Sequence, residues 1–139
     1  MNSVGQILYV EDDEDTRELV SYVLTYNNFR VVQAGNYDDA LQLVRACRFD
    51  LYLIDNWISR GSGIDLCKKI REINTSTPIL FYSGAAYARD KQEAFAAGAQ
   101  GYLIKPAENE QLIGEIARLI SIANGHRFEG AEAELAPPG

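Results

Sequence analysis

The sequence feature that most constrains this chain is a regular alternation of short apolar runs with longer segments that have the hydrophobic spacing of amphipathic helices. There are five such runs, and they are largely apolar throughout instead of alternating between apolar and polar residues. Strands of this kind are buried on both faces, which is typical of a parallel sheet with helices on both sides. The predicted strands are Gln6–Val10, Arg30–Ala34, Leu51–Ile54, Pro78–Tyr82 and Gly101–Ile104.

The alternation therefore predicts an α/β fold, a doubly wound five-stranded parallel sheet with helices on both faces. Right-handed crossovers leave few strand orders, and the flavodoxin-like order 2-1-3-4-5 is the natural choice at this length. Asp15 and Glu18 resemble a capping pair for the first helix, and Asn36 is a plausible N-cap for the second. Gly98 is predicted to end the fourth helix in a left-handed conformation, and the fifth helix is predicted over Asn109–Ala123.

Length and composition limit the classes of protein to which this chain can belong. The 139 residues suit one domain, predicted as 1–124, with a tail over 125–139 that lacks the pattern of an output domain. The formal net charge is −7 and no Lys/Arg cluster is present, which argues against direct nucleic-acid or anionic-membrane binding. No apolar run is long enough to cross a bilayer, and the acidic N-terminal region does not resemble a secretory signal, so we expect a cytoplasmic protein.

The two cysteines and the histidine are not expected to form sites. Cys47 and Cys67 lie far apart within helical patterns, so they are predicted to be small core-facing residues instead of a disulfide or a metal pair. The only histidine, His126, lies in the tail and is predicted to be an exposed bystander.

Polar side chains follow four of the five predicted strands. Glu11-Asp12-Asp13 follow the first, Asp55 the third, Ser83 the fourth and Lys105 the fifth. The carboxyl ends of parallel strands open into one crevice, so these side chains are expected to gather there. Crowded carboxylates repel one another unless a cation joins them, and an all-oxygen ligand set suits Mg²⁺. A divalent cation, an ammonium group and a hydroxyl group form a cradle for a phosphoryl group, with a carboxylate as nucleophile.

These residues carry a resemblance to a known family. Val10-Glu11-Asp12-Asp13 after strand 1, Asp55 with Gly63 eight positions on, Ser83-Gly84 and Lys105-Pro106 together resemble the receiver domain of two-component response regulators, over roughly residues 7–123. The resemblance implies a signalling receiver, not an enzyme, that catalyses its own phosphorylation and slow dephosphorylation.

The resemblance also implies residue roles. Asp55 would accept a phosphoryl group from a phosphohistidine of a sensor histidine kinase or a histidine phosphotransfer protein. Asp12 and Asp55 would ligate Mg²⁺ directly, Glu11 through water, and Trp57 through its backbone carbonyl, whereas Asp13 would take no part. Lys105 would bind a phosphoryl oxygen.

Further roles implied by the resemblance concern the switch. Ser83 would move toward the phosphoryl group and Tyr102 would turn inward behind it, which changes the face formed by helix 4, strand 5 and helix 5. That face would contact a downstream protein target, and it is also one through which two copies could associate. The Lys105-Pro106 peptide is expected to be cis, as in the family.

Two departures from the family pattern stand out. Ile58-Ser59 occupies the place where the family usually has an apolar residue followed by Pro, so the loop after Asp55 lacks its usual rigid turn. Trp57 and Ala85 occupy positions that often carry polar groups able to help water attack the acyl phosphate. Neither side chain can orient a water in that way, which predicts slow autodephosphorylation.

Two other functions use related chemistry. A flavodoxin-like flavin carrier has the same sheet order but needs a hydroxyl- and Gly-rich phosphate loop after strand 1, where this chain places five acids, Glu11–Asp15. An Mg²⁺-dependent aspartyl-phosphate hydrolase of the haloacid-dehalogenase type has its nucleophile after the first strand in a D-x-D pattern, usually with a cap insertion. Both alternatives fit the pattern less well than a receiver.

Overall fold

The computed structural model describes residues 4–125, in which seven strands and five helices follow one another. The strands are β1 (Gln6–Val10), β2 (Arg30–Ala34), β3 (Leu51–Ile54), β4 (Trp57–Ile58), β5 (Gly61–Ser62), β6 (Ile79–Ser83) and β7 (Gly101–Ile104). The helices are α1 (Glu14–Tyr26), α2 (Tyr37–Ala46), α3 (Gly63–Ile73), α4 (Ala88–Ala97) and α5 (Asn109–Ala123).

Five of the strands form one parallel sheet in the order β2-β1-β3-β6-β7. Because β4 and β5 lie outside this sheet, the order is the predicted 2-1-3-4-5. The register aligns Val10 with Ile54 and Ile54 with Phe81, so the residues that follow β1, β3 and β6 leave the sheet at the same edge.

The core lies on both faces of the sheet because alternate residues of each strand point in opposite directions. Ile7 and Tyr9 belong to a cluster with residues of α1 and α5, whereas Leu8 and Val10 belong to a cluster with residues of α2, α3 and α4. Two helices therefore cover one face and three cover the other, as the apolar strands predicted. No helix within residues 4–125 has the length and hydropathy that spanning a membrane would require.

The start of α1 differs from the prediction. The N-cap is Asp13, whose Oδ2 accepts hydrogen bonds from Thr16 N at 2.9 Å and from the Thr16 hydroxyl at 2.6 Å, so the Asp15 and Glu18 capping pair was wrong. The helix begins at Glu14, directly after this cap. Asp13, which follows Glu11 and Asp12, therefore has a structural role as the N-cap of α1.

The cysteine prediction was half right. Cys67 is fully buried, but Cys47 is exposed. The reason is that α2 ends at Ala46 and Cys47 is its C-cap in an extended conformation, so its side chain does not continue the buried face of the helix.

The loop after β3 folds into a small antiparallel hairpin that the sequence did not predict. Trp57 pairs with Ser62 and Ile58 with Gly61, and the turn contains Arg60 with a φ of 68°. The Ser59 carbonyl accepts a hydrogen bond of 3.0 Å from Tyr37 N, which ties the turn to the start of α2. Hydrogen bonds thus hold this turn in the absence of the family's usual Pro.

Candidate functional site

Three of the predicted side chains meet at the carboxyl edge of the sheet. The Lys105 ammonium group lies 2.8 Å from Asp55 Oδ2 and also donates to Glu11 Oε1. Glu11 is 2% exposed and Asp55 is 5% exposed, whereas the Lys105 side chain is 21% exposed, so two buried carboxylates share one partly exposed cation. Chain positions 11, 55 and 105 meet because β1 and β3 are neighbours and β7 lies two strands away from β3.

The electrostatics of this site follow from burial and pairing. Burial raises the pKa of Glu11 above its usual range, against the lowering effect of hydrogen bonds from Lys105 and from the Asp13 amide. Burial disfavours the charge of Lys105, but hydrogen bonds to Asp55 and Glu11 outweigh it and raise the pKa of the ammonium group. Lys105 therefore stays protonated, and it balances one of the two buried carboxylates.

Asp12 stands at the exposed side of the site. Its Oδ2 accepts a hydrogen bond of 3.2 Å from the Ser59 hydroxyl, in the turn after β4. Within residues 4–125, no three His, Cys, Asp or Glu side chains are arranged as a group of metal ligands. The three acids Glu11, Asp12 and Asp55 nevertheless outnumber the single ammonium of Lys105, and all their donor atoms are oxygen. A small divalent cation fits this charge and this chemistry.

Asp55 is oriented by the backbone around it. Trp57 N donates to Asp55 Oδ1 at 3.2 Å, so both carboxylate oxygens of Asp55 accept a hydrogen bond. Gly63 is buried at the start of α3, and its N–H donates to Asn56 O at 2.8 Å. A β-carbon on Gly63 would lie 2.3 Å from the Asp55 carbonyl oxygen, so only glycine allows α3 to approach the acceptor strand this closely.

The two predicted switch residues converge on one residue, Ala85. The Ser83 Oγ accepts a hydrogen bond of 3.2 Å from Ala85 N, and the Tyr102 hydroxyl donates to Ala85 O at 2.6 Å. Ser83 is fully buried, and the Tyr102 ring stacks on Phe81 at 5.7 Å between centroids. Burial raises the pKa of Tyr102. The Lys105-Pro106 peptide is cis, as expected.

Two contacts at the site were missed by sequence reasoning. One is the hydrogen bond from Ser59 to Asp12, which depends on the unpredicted hairpin. The other is the Tyr82 ring, whose centroid lies 5.7 Å from the Lys105 nitrogen. The one sequence signal for this second contact was the position of Tyr82, directly before Ser83 at the end of an apolar run. His126 lies outside the described residues.

Comparison with known proteins decides the family. The family model described as the response regulator receiver domain matches residues 7–117. The chain belongs to this family. The match confirms the resemblance that the sequence predicted, and it covers every residue that the structure brings to the site.

Solved receiver structures share the fold. A CheY-like receiver domain protein from Methanospirillum hungatei JF-1 has a TM-score of 0.84 at 21% identity, and the match covers 90% of this chain and 98% of that one. At this identity the likeness shows the fold alone. The chemotaxis protein CheY4 of Vibrio cholerae has a TM-score of 0.79 at 29% identity over 86% of this chain and 99% of that one. This chain therefore covers nearly the whole of both solved chains.

Curated relatives are longer. The cell cycle transcriptional regulator CtrA of Caulobacter vibrioides is 29% identical over 121 residues, which is 87% of this chain and 52% of CtrA. The transcriptional regulatory protein YrkP of Bacillus subtilis is 38% identical over 107 residues, which is 77% of this chain and 46% of YrkP. The chain therefore spans about half the length of the curated relatives it matches.

Proposed function

We propose that this receiver domain accepts a phosphoryl group on Asp55 in an Mg²⁺-dependent reaction with a phosphohistidine donor. The single observation that carries the proposal is the contact of 2.8 Å between Asp55 Oδ2 and the Lys105 ammonium group. It supplies a buried carboxylate nucleophile at the open edge of the sheet, with a fixed cation beside it. The donor is a sensor histidine kinase or a histidine phosphotransfer protein, which fits the family.

The chemistry is a single displacement at phosphorus. An Asp55 carboxylate oxygen forms a bond to phosphorus, the bond between phosphorus and the donor imidazole nitrogen breaks, and its electron pair leaves with the imidazole. Negative charge is spread over the phosphoryl oxygens as the group is transferred. The Lys105 ammonium, already 2.8 Å from Asp55, is placed to stabilise that charge.

Asp12 and Asp55 would hold Mg²⁺ directly, with Glu11 acting through water and the Trp57 carbonyl as a further ligand. When bound, the ion supplies positive charge to the phosphoryl oxygens and offsets the repulsion among the three acids. The chain itself orients the acidic side chains through hydrogen bonds. The Ser59 hydroxyl orients Asp12 from outside, and the Asp13 amide donates to Glu11 Oε2 at 3.1 Å.

The output of phosphorylation is a change on the face formed by α4, β7 and α5. Ser83 would exchange its hydrogen bond from Ala85 N for one with a phosphoryl oxygen, and Tyr102 would respond through Ala85. The convergence of both side chains on Ala85 supports this coupling. A downstream protein would read the altered face, and a second copy of the chain is another candidate reader.

The test is labelling with a small phosphodonor. Incubation with Mg²⁺ and acetyl phosphate or phosphoramidate should add one phosphoryl group per chain, which mass spectrometry detects as a hydroxylamine-sensitive adduct. Asp55→Asn should abolish the label. Asp50→Asn is the matched control, because Asp50 lies just before the other end of β3, and this variant should be labelled like the wild type.

The outcomes separate the candidate functions. Continuous release of phosphate without a stable adduct would indicate an aspartyl-phosphate hydrolase instead of a receiver. Absence of both the adduct and phosphate release, or equal labelling of Asp55→Asn, would overturn the proposal.

A further inference from the structure

Tyr82, the residue before the switch residue Ser83, contacts the Lys105 segment in two ways. The Lys105 nitrogen lies 5.7 Å from the centroid of the Tyr82 ring, within the range of a cation–π contact. The Tyr82 hydroxyl accepts a hydrogen bond of 3.1 Å from Ala107 N. The face of the Tyr82 ring thus contacts the Lys105 ammonium group, and the Tyr82 hydroxyl contacts the backbone of Ala107.

These contacts close a frame around the lysine. Lys105 N donates to Ser83 O at 2.9 Å, and Pro106 has no N–H, so Ala107 N is the first backbone donor after Lys105. The end of β6 therefore holds the backbone on both sides of the Lys105-Pro106 peptide. Tyr82 is only 6% exposed, which makes its ring a fixed surface for the ammonium group.

We infer that Tyr82 is a positioning residue that holds the Lys105 ammonium over the acceptor site. The inference rests on the proposed function of Asp55. The other partners of the ammonium, Asp55 and Glu11, are carboxylates that take part in the reaction or in metal binding. When Asp55 becomes an acyl phosphate, its present hydrogen bond to Lys105 has to be remade, but the contact with the Tyr82 ring is independent of that change.

The first experiment compares Tyr82→Phe with Tyr82→Leu. Tyr82→Phe keeps the ring and loses the hydroxyl, whereas Tyr82→Leu loses both. We expect phosphoramidate to phosphorylate the Leu variant about threefold to thirtyfold more slowly than the wild type, the range that runs from an exposed to a desolvated cation–π contact. The Phe variant should recover most of that loss. Equal rates for the Leu variant and the wild type would overturn the inference.

Two controls distinguish the positioning role of Tyr82 from a purely structural role. Tyr52→Leu removes another buried tyrosine ring of the sheet, one whose hydroxyl faces Asn74, and it should lower stability without slowing phosphorylation. In a Lys105→Met background, Tyr82→Leu should change the rate by less than about twofold, because the residue through which it acts is gone. An undiminished effect in that background would show that Tyr82 acts by another route.

A spectroscopic readout keeps the inference testable if Asp55 is not phosphorylated. The Lys105 side-chain proton resonances should carry an upfield ring-current shift in the wild type and in Tyr82→Phe, and this shift should be absent in Tyr82→Leu. Failure of wild-type labelling would refute the proposed function, whereas an unchanged Lys105 shift in Tyr82→Leu would refute the role of Tyr82. Should Tyr82→Leu not fold, Tyr82→Met supplies the flexible aliphatic side chain for the same comparison.

Discussion

Gly63→Ala is the substitution whose effect can be worked most directly from the structure. The added β-carbon would lie 2.3 Å from Asp55 O and 2.9 Å from Asn56 Cα, and both neighbours are backbone atoms that cannot rotate away. The carbon–oxygen distance is about 1 Å shorter than an ordinary contact of this type. The start of α3 and the acceptor segment must therefore separate by a comparable distance.

Two consequences follow from that separation. Overpacking a close backbone contact is expected to lower the free energy of unfolding by about 1–3 kcal/mol. Moving the acceptor by about 1 Å is expected to slow phosphorylation by one to two orders of magnitude, because displacements of this size disturb the alignment of reacting groups. Urea unfolding followed by circular dichroism measures the first effect, and the rate of labelling by phosphoramidate in Mg²⁺ measures the second.

Gly114→Ala is the matched control. Gly114 lies in α5, where an added β-carbon meets no atom within 4 Å, so alanine should stabilise the helix by roughly 0.5–1 kcal/mol and leave the labelling rate unchanged. The reasoning would be refuted if Gly63→Ala unfolded at the wild-type urea midpoint and was labelled at the wild-type rate.

Three further predictions concern lifetime, stability and pH. Trp57→Asn is expected to shorten the lifetime of the phosphoprotein, because an amide can orient water for attack and an indole cannot; an unchanged decay rate of the label would contradict this. Arg71→Met is expected to lower the free energy of unfolding by roughly 2–4 kcal/mol, since the guanidinium donates to three backbone carbonyls at 2.9–3.0 Å, and urea unfolding measures the loss. The hydrogen bond from Arg118 lowers the pKa of Glu115 in the folded protein below its usual value of 4.5. The pair therefore stabilises the fold at pH values above 4.5, and this stabilisation is lost as the pH falls through the lowered pKa of Glu115. The stability difference between the wild type and Arg118→Gln should then be about 0.3–0.5 kcal/mol at neutral pH and vanish in acid.

The sequence correctly predicted two helix ends whose signals are local. Asn36 does cap α2, with its Oδ1 accepting from Asp39 N at 2.8 Å, and Gly98 ends α4 with a φ of 117°. Capping side chains and left-handed glycines act within a few residues, so the chain itself carries the information. An apolar residue in a helix is not always buried, since Leu19 of α1 is 66% exposed whereas Val20 and Leu24 lie on the buried face.

Contacts between distant segments were predictable only where the sheet order fixes them. The order of the strands was enough to bring Asp55 and Lys105 to one edge, and it did so correctly. It could not show that Ser59 would bond Asp12, because that contact needs a hairpin whose strands are two residues each. Nor could it show the Tyr82 ring beneath Lys105, because the direction of an aromatic side chain at a strand end depends on the packing around it.

The hydrogen bonds at Ala85 give a physical reason why the proposed switch would have two discrete states. Ala85 is 3% exposed, and Ser83 and Tyr102 occupy its N–H and its carbonyl. If Ser83 left Ala85 N for a phosphoryl oxygen, a buried donor would lose its partner, at a cost of about 1–3 kcal/mol. The segment around Ala85 would then have to move to find a new partner, and the Tyr102 hydroxyl bonded to the same residue would be displaced with it. Intermediate positions satisfy neither set of hydrogen bonds, so phosphorylation would shift the protein between two arrangements instead of deforming it gradually.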